Sequence, residues 1–147
     1  MAATSGYQRQ VAFAAFRRFL AAHGAAEEET VHPAACTGAG VVVEQRLAEE
    51  YQAEQQITAL EQLDVDSGAF AEQCSQLRAA VTAHARHENH DEFPALTRVV
   101  DRVTLIRLQQ IVSQVPDMAT MAVDEPFADQ LRGHRQRLGG TADATSP

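Results

Sequence analysis

Two stretches decide the fold: HGAAEEETVHP, residues 23–33, and HARHENHDEFP, residues 84–94. Each opens on a histidine and places a glutamate four residues on, giving His23 with Glu27 and His84 with Glu88. Each then reaches a proline ten residues after its histidine, Pro33 and Pro94. Four residues are about one turn of an α-helix, so each histidine projects from the same face as its glutamate. Outward from the first stretch, Phe13, Phe16, Leu20, His23 and Glu27 follow at steps of three, four, three and four. Phe70, Cys74, Leu77, Val81, His84 and Glu88 keep the same period in the second. Both His–Glu pairs therefore sit on an apolar stripe rather than on a solvated face.

A carboxylate turned toward a core is costly unless it is paired or coordinates a metal. Taken alone, either pair reads first as a core histidine hydrogen-bonded to its own glutamate. Two helices making the same choice at the same spacing favour a metal site. Imidazole with carboxylate suits iron, manganese or zinc better than calcium or magnesium. His32, His87 and His90 fall off the stripes and are expected in solvated or supporting roles.

The remaining pattern is helical throughout. The first helix runs from about Tyr7 to Val31, ended by Pro33 and the CTGAG segment. The second, about Val42 to Leu63, carries Val43, Leu47, Glu50, Glu54 and Ile57 on one stripe, with Tyr51 at its border. DVDSG supplies a turn before the third helix, about Ala69 to Phe93. Asp101 caps a fourth, striped by Leu105, Leu108, Val112 and Val115 and stopped by Pro116. A short fifth begins near Asp124, with Phe127, Leu131, His134 and Leu138 on one side. Short turns between long helices make neighbours antiparallel, which is a bundle. One domain is expected over residues 1–138, followed by a disordered tail, GGTADATSP, at 139–147.

Composition narrows the function. The chain has 147 residues, enough for one core. Twenty acidic against 12 basic residues give a net charge of −8, which repels phosphate backbones and argues against nucleic acid as a partner. No apolar run reaches the ~18 residues of a membrane span. Cys36 and Cys74 lack metal-type spacing, and MAATSGYQRQ lacks the basic-then-apolar pattern of a secretory signal; both point to a reducing cytoplasm. No nucleotide-binding glycine motif or nucleophile triad offers a rival chemistry.

HGAAEEETVHP and HARHENHDEFPAL resemble the second- and fourth-helix signatures of the haemerythrin-like (HHE cation-binding) family. RLAEEYQAEQQITALEQLD resembles that family's third helix, and EPFADQLRG a segment near the end of longer members. The resemblance implies an all-α, haemerythrin-like antiparallel bundle of four main helices plus a short C-terminal helix. It also implies a metal site, with iron (two ions) as the cofactor and manganese or zinc as alternatives. His23, Glu27, His84 and Glu88 match the family's ligands, the two glutamates as bridges. Two further ligands have no direct match. The family's third-helix histidine falls where Glu49-Glu50-Tyr51 stands, and the opening helix with its histidine is absent. Tyr51, Glu50, Glu54 and, from the fifth helix, His134 are the candidates to replace them.

A phenolate or carboxylate in such a position stabilises the ferric state. The expectation is therefore a non-haem di-iron protein that reacts with or senses dioxygen or peroxide, with oxidoreductase turnover as one form. The alternative is a metal-binding or degenerate bundle acting in iron handling, sensing or protein contacts without turnover. Loss of the opening helix leaves an apolar stripe containing Phe13, Leu47 and Leu77 uncovered. A homodimer is expected to cover it, the alternative being the chain's own C-terminal helices.

Overall fold

The structure, a computed structural model, describes residues 6–121 and 125–143. Its elements are α1 (Gly6–Ala26), a first π turn (Glu27–Val31), α2 (His32–Leu60), α3 (Gly68–His87), a second π turn (Glu88–Glu92), α4 (Phe93–Val99), α5 (Arg102–Ser113), α6 (Val115–Met121) and α7 (Phe127–Asp143). No strand occurs among the described residues, and the all-α bundle expected from the periodicity is what the chain forms.

Several boundaries differ from the sequence reading, each for a physical reason. Pro33 does not end the first helix, because it sits in the first turn of α2, where a missing N–H costs no hydrogen bond. α2 then runs from His32 to Leu60, yet the chain doubles back within it. His32 and Glu50 are 18 residues apart and in contact at 2.6 Å, whereas a straight helix would separate them by about 27 Å. Val31 and Val43 already share one apolar cluster, so the reversal lies between them. Pro116 likewise starts rather than stops a helix, standing second in α6. α7 continues to Asp143, so the first five residues of the expected tail, 139–143, are helical; residues 144–147 lie outside the described part.

The cap expected at Asp101 is present, and Ser67 supplies a second. Asp101 accepts a hydrogen bond from the Thr104 amide at 2.7 Å and opens α5. Ser67 accepts one from the Phe70 amide at 3.1 Å and opens α3. Each side chain satisfies a first-turn donor that the helix itself cannot.

α1 is the axis of the packing. Ala21 and Ala25 face a core shared with Ile57 and Leu60 of α2, Phe70 and Leu77 of α3, and Phe127 and Leu131 of α7. Ala22 and Ala26, one position round, meet Val115 and Ala119 of α6. All four alanines are completely buried, and their small size lets helices approach on two sides at once. Arg17 pairs with Glu61 at 2.5 Å, and Glu61 also accepts the Phe127 amide at 2.8 Å, joining α1, the end of α2 and the start of α7. α7 therefore contributes the fourth wall of the bundle, while α1 and α3 meet through side chains such as Phe13 and Phe70, edge-on at 5.2 Å. A second cluster, Val31, Val43, Leu96 and Leu108, closes the end nearest the two π turns.

Candidate metal centre

The two π turns begin at Glu27 and Glu88, the glutamates of the two repeats. In each, an amide bonds five residues back instead of four: His32 N–H to the Glu27 carbonyl, and Phe93 N–H to the Glu88 carbonyl. The side chains of Thr30 and Asn89 also donate to carbonyls four residues back, those of Ala26 and Ala85. Isolated π turns inside α-helices are frequent at functional sites. Here they occur at matching positions in both halves.

One donor atom each from Glu27, Glu50, His84 and Glu88 lies within 4.8 Å of the other three. His84 Nε2 stands 3.2 Å from Glu88 Oε1, 3.6 Å from Glu50 Oε1 and 3.8 Å from Glu27 Oε2. His23 Nε2 approaches Glu27 from the other side, at 3.0 Å from Oε1. Glu27 and Glu88 are buried, and three carboxylate oxygens, Glu27 Oε2, Glu50 Oε2 and Glu88 Oε1, have no hydrogen-bond partner. Buried oxygens of this kind are uncommon without a ligand to receive them. The set of three carboxylates and one imidazole fits a transition-metal ion, and it fits iron, manganese or zinc by donor type.

A carboxylate holds the far side of the imidazole. His84 Nδ1 donates to Glu49 Oε2 at 3.0 Å, which aims Nε2 at the cluster. Glu49 is itself held by Arg46 at 2.8 Å and by His87 Nδ1 at 2.7 Å. Glu50 Oε1 accepts from His32 Nε2 at 2.6 Å, and His32 Nδ1 reaches Glu92 Oε1 at 2.5 Å.

Electrostatics follow from this crowding. Burial pulls the His84 pKa down, but Glu27, Glu88 and Glu49 override it and raise it to about 11. Burial also opposes the charge on His32, and Glu50 and Glu92 together raise it to about 10. Burial pushes Glu27 up, yet the imidazoles of His23 and His84 beside it hold it well below the carboxylate range. Glu50 and Glu88 go the other way, raised by burial with Glu27 repelling both.

A cavity of about 440 Å³ opens on the cluster. Phe19, Leu20, Ala53, Ile57, Val81 and Leu131 make its walls mostly apolar.

Of the residues expected at a metal, Glu27, Glu50, His84 and Glu88 come together, and His23 adjoins them through Glu27. Glu54 lines the same cavity but pairs with Arg135 at 3.0 Å, outside the four-residue cluster. Tyr51 is 60% exposed and does not line the cavity. His134 is buried in α7, with Arg137 donating to its Nδ1 at 2.9 Å, also outside the cluster. The sequence reading did not single out Glu49 or Glu92, and of the solvated or supporting role it gave His32 the structure places the residue in the supporting one, buried against Glu50. Carrying the repeat past its glutamates would have flagged His32 and Glu92, because Val31-His32-Pro33 aligns with Glu92-Phe93-Pro94.

A bundle whose facing helices converge carboxylates and an imidazole on one point belongs to the class of helical non-haem metal proteins. The chain matches the family model described as the hemerythrin HHE cation binding domain over residues 5–96, and it belongs to that family. It is thus a metal-cation-binding domain, and the matched segment contains all four clustered donors. No curated protein and no solved structure matches the chain. No helix among the described residues is long and apolar enough to cross a membrane.

Proposed function

We propose that the chain holds a non-haem dimetal centre, with iron as the metal, that reacts with or senses dioxygen or peroxide. The observation that carries this reading is the convergence of Glu27, Glu50 and Glu88 on the oriented imidazole of His84, with one buried oxygen of each carboxylate making no hydrogen bond. Glu27, Glu50, Glu88 and His84 would hold the metal, with His23 next in reach. When bound, iron supplies one-electron redox chemistry that no side chain of the cluster has.

The chain's own groups set the terms of that chemistry. Glu49 fixes the tautomer and direction of His84, so that Nε2 is the nitrogen offered. Carboxylates outnumber imidazoles, which favours the ferric over the ferrous ion and turns the centre away from reversible oxygen carriage. The apolar walls keep bulk water from the donors and admit small uncharged molecules.

The test is iron content and a visible spectrum on protein purified without chelator, followed by peroxide consumption by the reduced protein. Iron with consumption supports the reading. Bound iron without consumption makes the domain a sensor or store. Protein that neither retains nor takes up iron overturns it.

A further inference from the structure

We propose that His32 is a positioning residue for the metal centre: clamped by Glu92, it holds Glu50 in place as a donor. This rests on the centre being where the four clustered residues put it.

The argument begins with the repeat. At the two positions before the proline, the first stretch has Val31 and His32 and the second has Glu92 and Phe93. Each half thus carries one polar residue where the other half carries an apolar one. The two polar residues meet: His32 Nδ1 lies 2.5 Å from Glu92 Oε1, with both side chains at most 2% exposed. Burying an ionisable pair is expensive compared with the apolar residues the chain uses at the equivalent positions. Packing alone gives no reason to place a histidine and a glutamate there.

The far nitrogen of the imidazole supplies a reason. His32 Nε2 reaches Glu50 Oε1 at 2.6 Å, while Glu50 Oε2 has no partner. The oxygen that His32 fixes, Glu50 Oε1, is the one 3.6 Å from His84 Nε2, and the other is buried and left without a hydrogen bond. Both ring nitrogens of His32 are engaged, and His32 does not line the cavity that Glu50, His84 and Glu88 share. It acts on the centre through Glu50. The arrangement matches the one at His84, where Glu49 holds the imidazole, except that here an imidazole holds the carboxylate. Partners that orient metal donors are typically worth 10–100-fold in affinity.

Cobalt(II) titration of the full chain tests this, read by the ligand-field absorption of the bound ion and by affinity. His32→Phe/Glu92→Val gives each half the apolar residue of the other and removes the buried His32–Glu92 pair together; Glu50 loses its imidazole partner, and a circular dichroism melt without metal checks that the variant folds. The double variant should bind cobalt about 10–100-fold more weakly, with an altered spectrum. Glu92→Gln, which keeps shape and an acceptor for Nδ1, should weaken binding by a smaller factor. Placed in a Glu50→Ala background, the double variant should cause no further loss, because its effect runs through Glu50. Parent-like affinity and spectrum in both His32→Phe/Glu92→Val and Glu92→Gln overturns the inference, as does full additivity with Glu50→Ala. Parent-like cobalt binding by His84→Ala would instead overturn the placement of the centre.

Discussion

Replacing Glu88 with glutamine keeps the side chain's volume and removes one of the three carboxylates gathered at His84. Glu88 is 5% exposed, its Oε1 lacks a hydrogen-bond partner, and burial together with the charge of Glu27 disfavours its ionised form. A neutral amide escapes both penalties, so the metal-free variant should melt at or above the parent's midpoint. With metal the sign reverses. An ion that binds only the native state adds about 2.7 kcal/mol when free metal is 100 times Kd. At roughly 2–4 °C per kcal/mol for a chain of this size, the parent should gain about 5–11 °C. Loss of one anionic donor that weakens binding at least tenfold leaves about 1.4 kcal/mol or less at the same free metal. Far-ultraviolet circular dichroism melts, with chelator and with iron(II) or cobalt(II), measure both quantities. A variant that melts lower in chelator and gains as much as the parent from metal would refute the reasoning, since Glu88 would then be a structural pairing group only.

Tyr51→Phe should change neither metal content nor the visible spectrum of the iron-loaded protein, because Tyr51 is 60% exposed and away from the cavity; loss of a visible band would return it to the centre. Leu131→Ala should cost about 2–5 kcal/mol in urea unfolding, since Leu131 is 3% exposed in the core shared by four helices. A loss below about 1 kcal/mol would mean that α7 does not wall the bundle. Pairing of two chains across the seam between α1 and α3, where Phe13, Phe16, Leu77 and Val81 line an apolar cavity of about 490 Å³, predicts sedimentation at twice 16.0 kDa. A species of 16.0 kDa at micromolar concentration rejects that homodimer.

The bundle and the clustered donors were legible because both repeats write a helical period with a costly residue on the apolar side. Glu50 was legible as well, standing on the stripe of Val43, Leu47 and Ile57. What escaped reading lies past the glutamates, and the π turns explain it. In an unbroken α-helix, His32, nine residues after His23, stands about 180° from it. A π turn accommodates one extra residue and takes back roughly 100°, carrying His32 toward the centre's side. Glu92, eight residues after His84, moves in the same way, from about 80° off the histidine to about 20°. Local sequence does not mark where a helix widens by one residue. Pro33 misled for a related reason: proline signals a break in a helix interior but is at home in a first turn, and the π turn makes α2 begin just before it. The role of α7 depended on distant packing, Phe127 and Leu131 against Ala21, Ala25 and Ile57, which no short window contains.

The position of α7 also bears on how the protein is made. Glu27, Glu50, His84 and Glu88 all precede residue 89, whereas the wall supplied by Phe127 and Leu131 comes nearly forty residues later. On the ribosome, where domains form as they emerge, the donors can converge while the cavity is still open on one side. Arg135 then ties Glu28 and Glu54, both on the cavity wall, as the last helix docks. Metal supplied during synthesis would therefore meet a vestibule lacking one wall, and metal supplied afterwards one narrowed by α7. The rate of loading, more than its final extent, should depend on when the ion arrives.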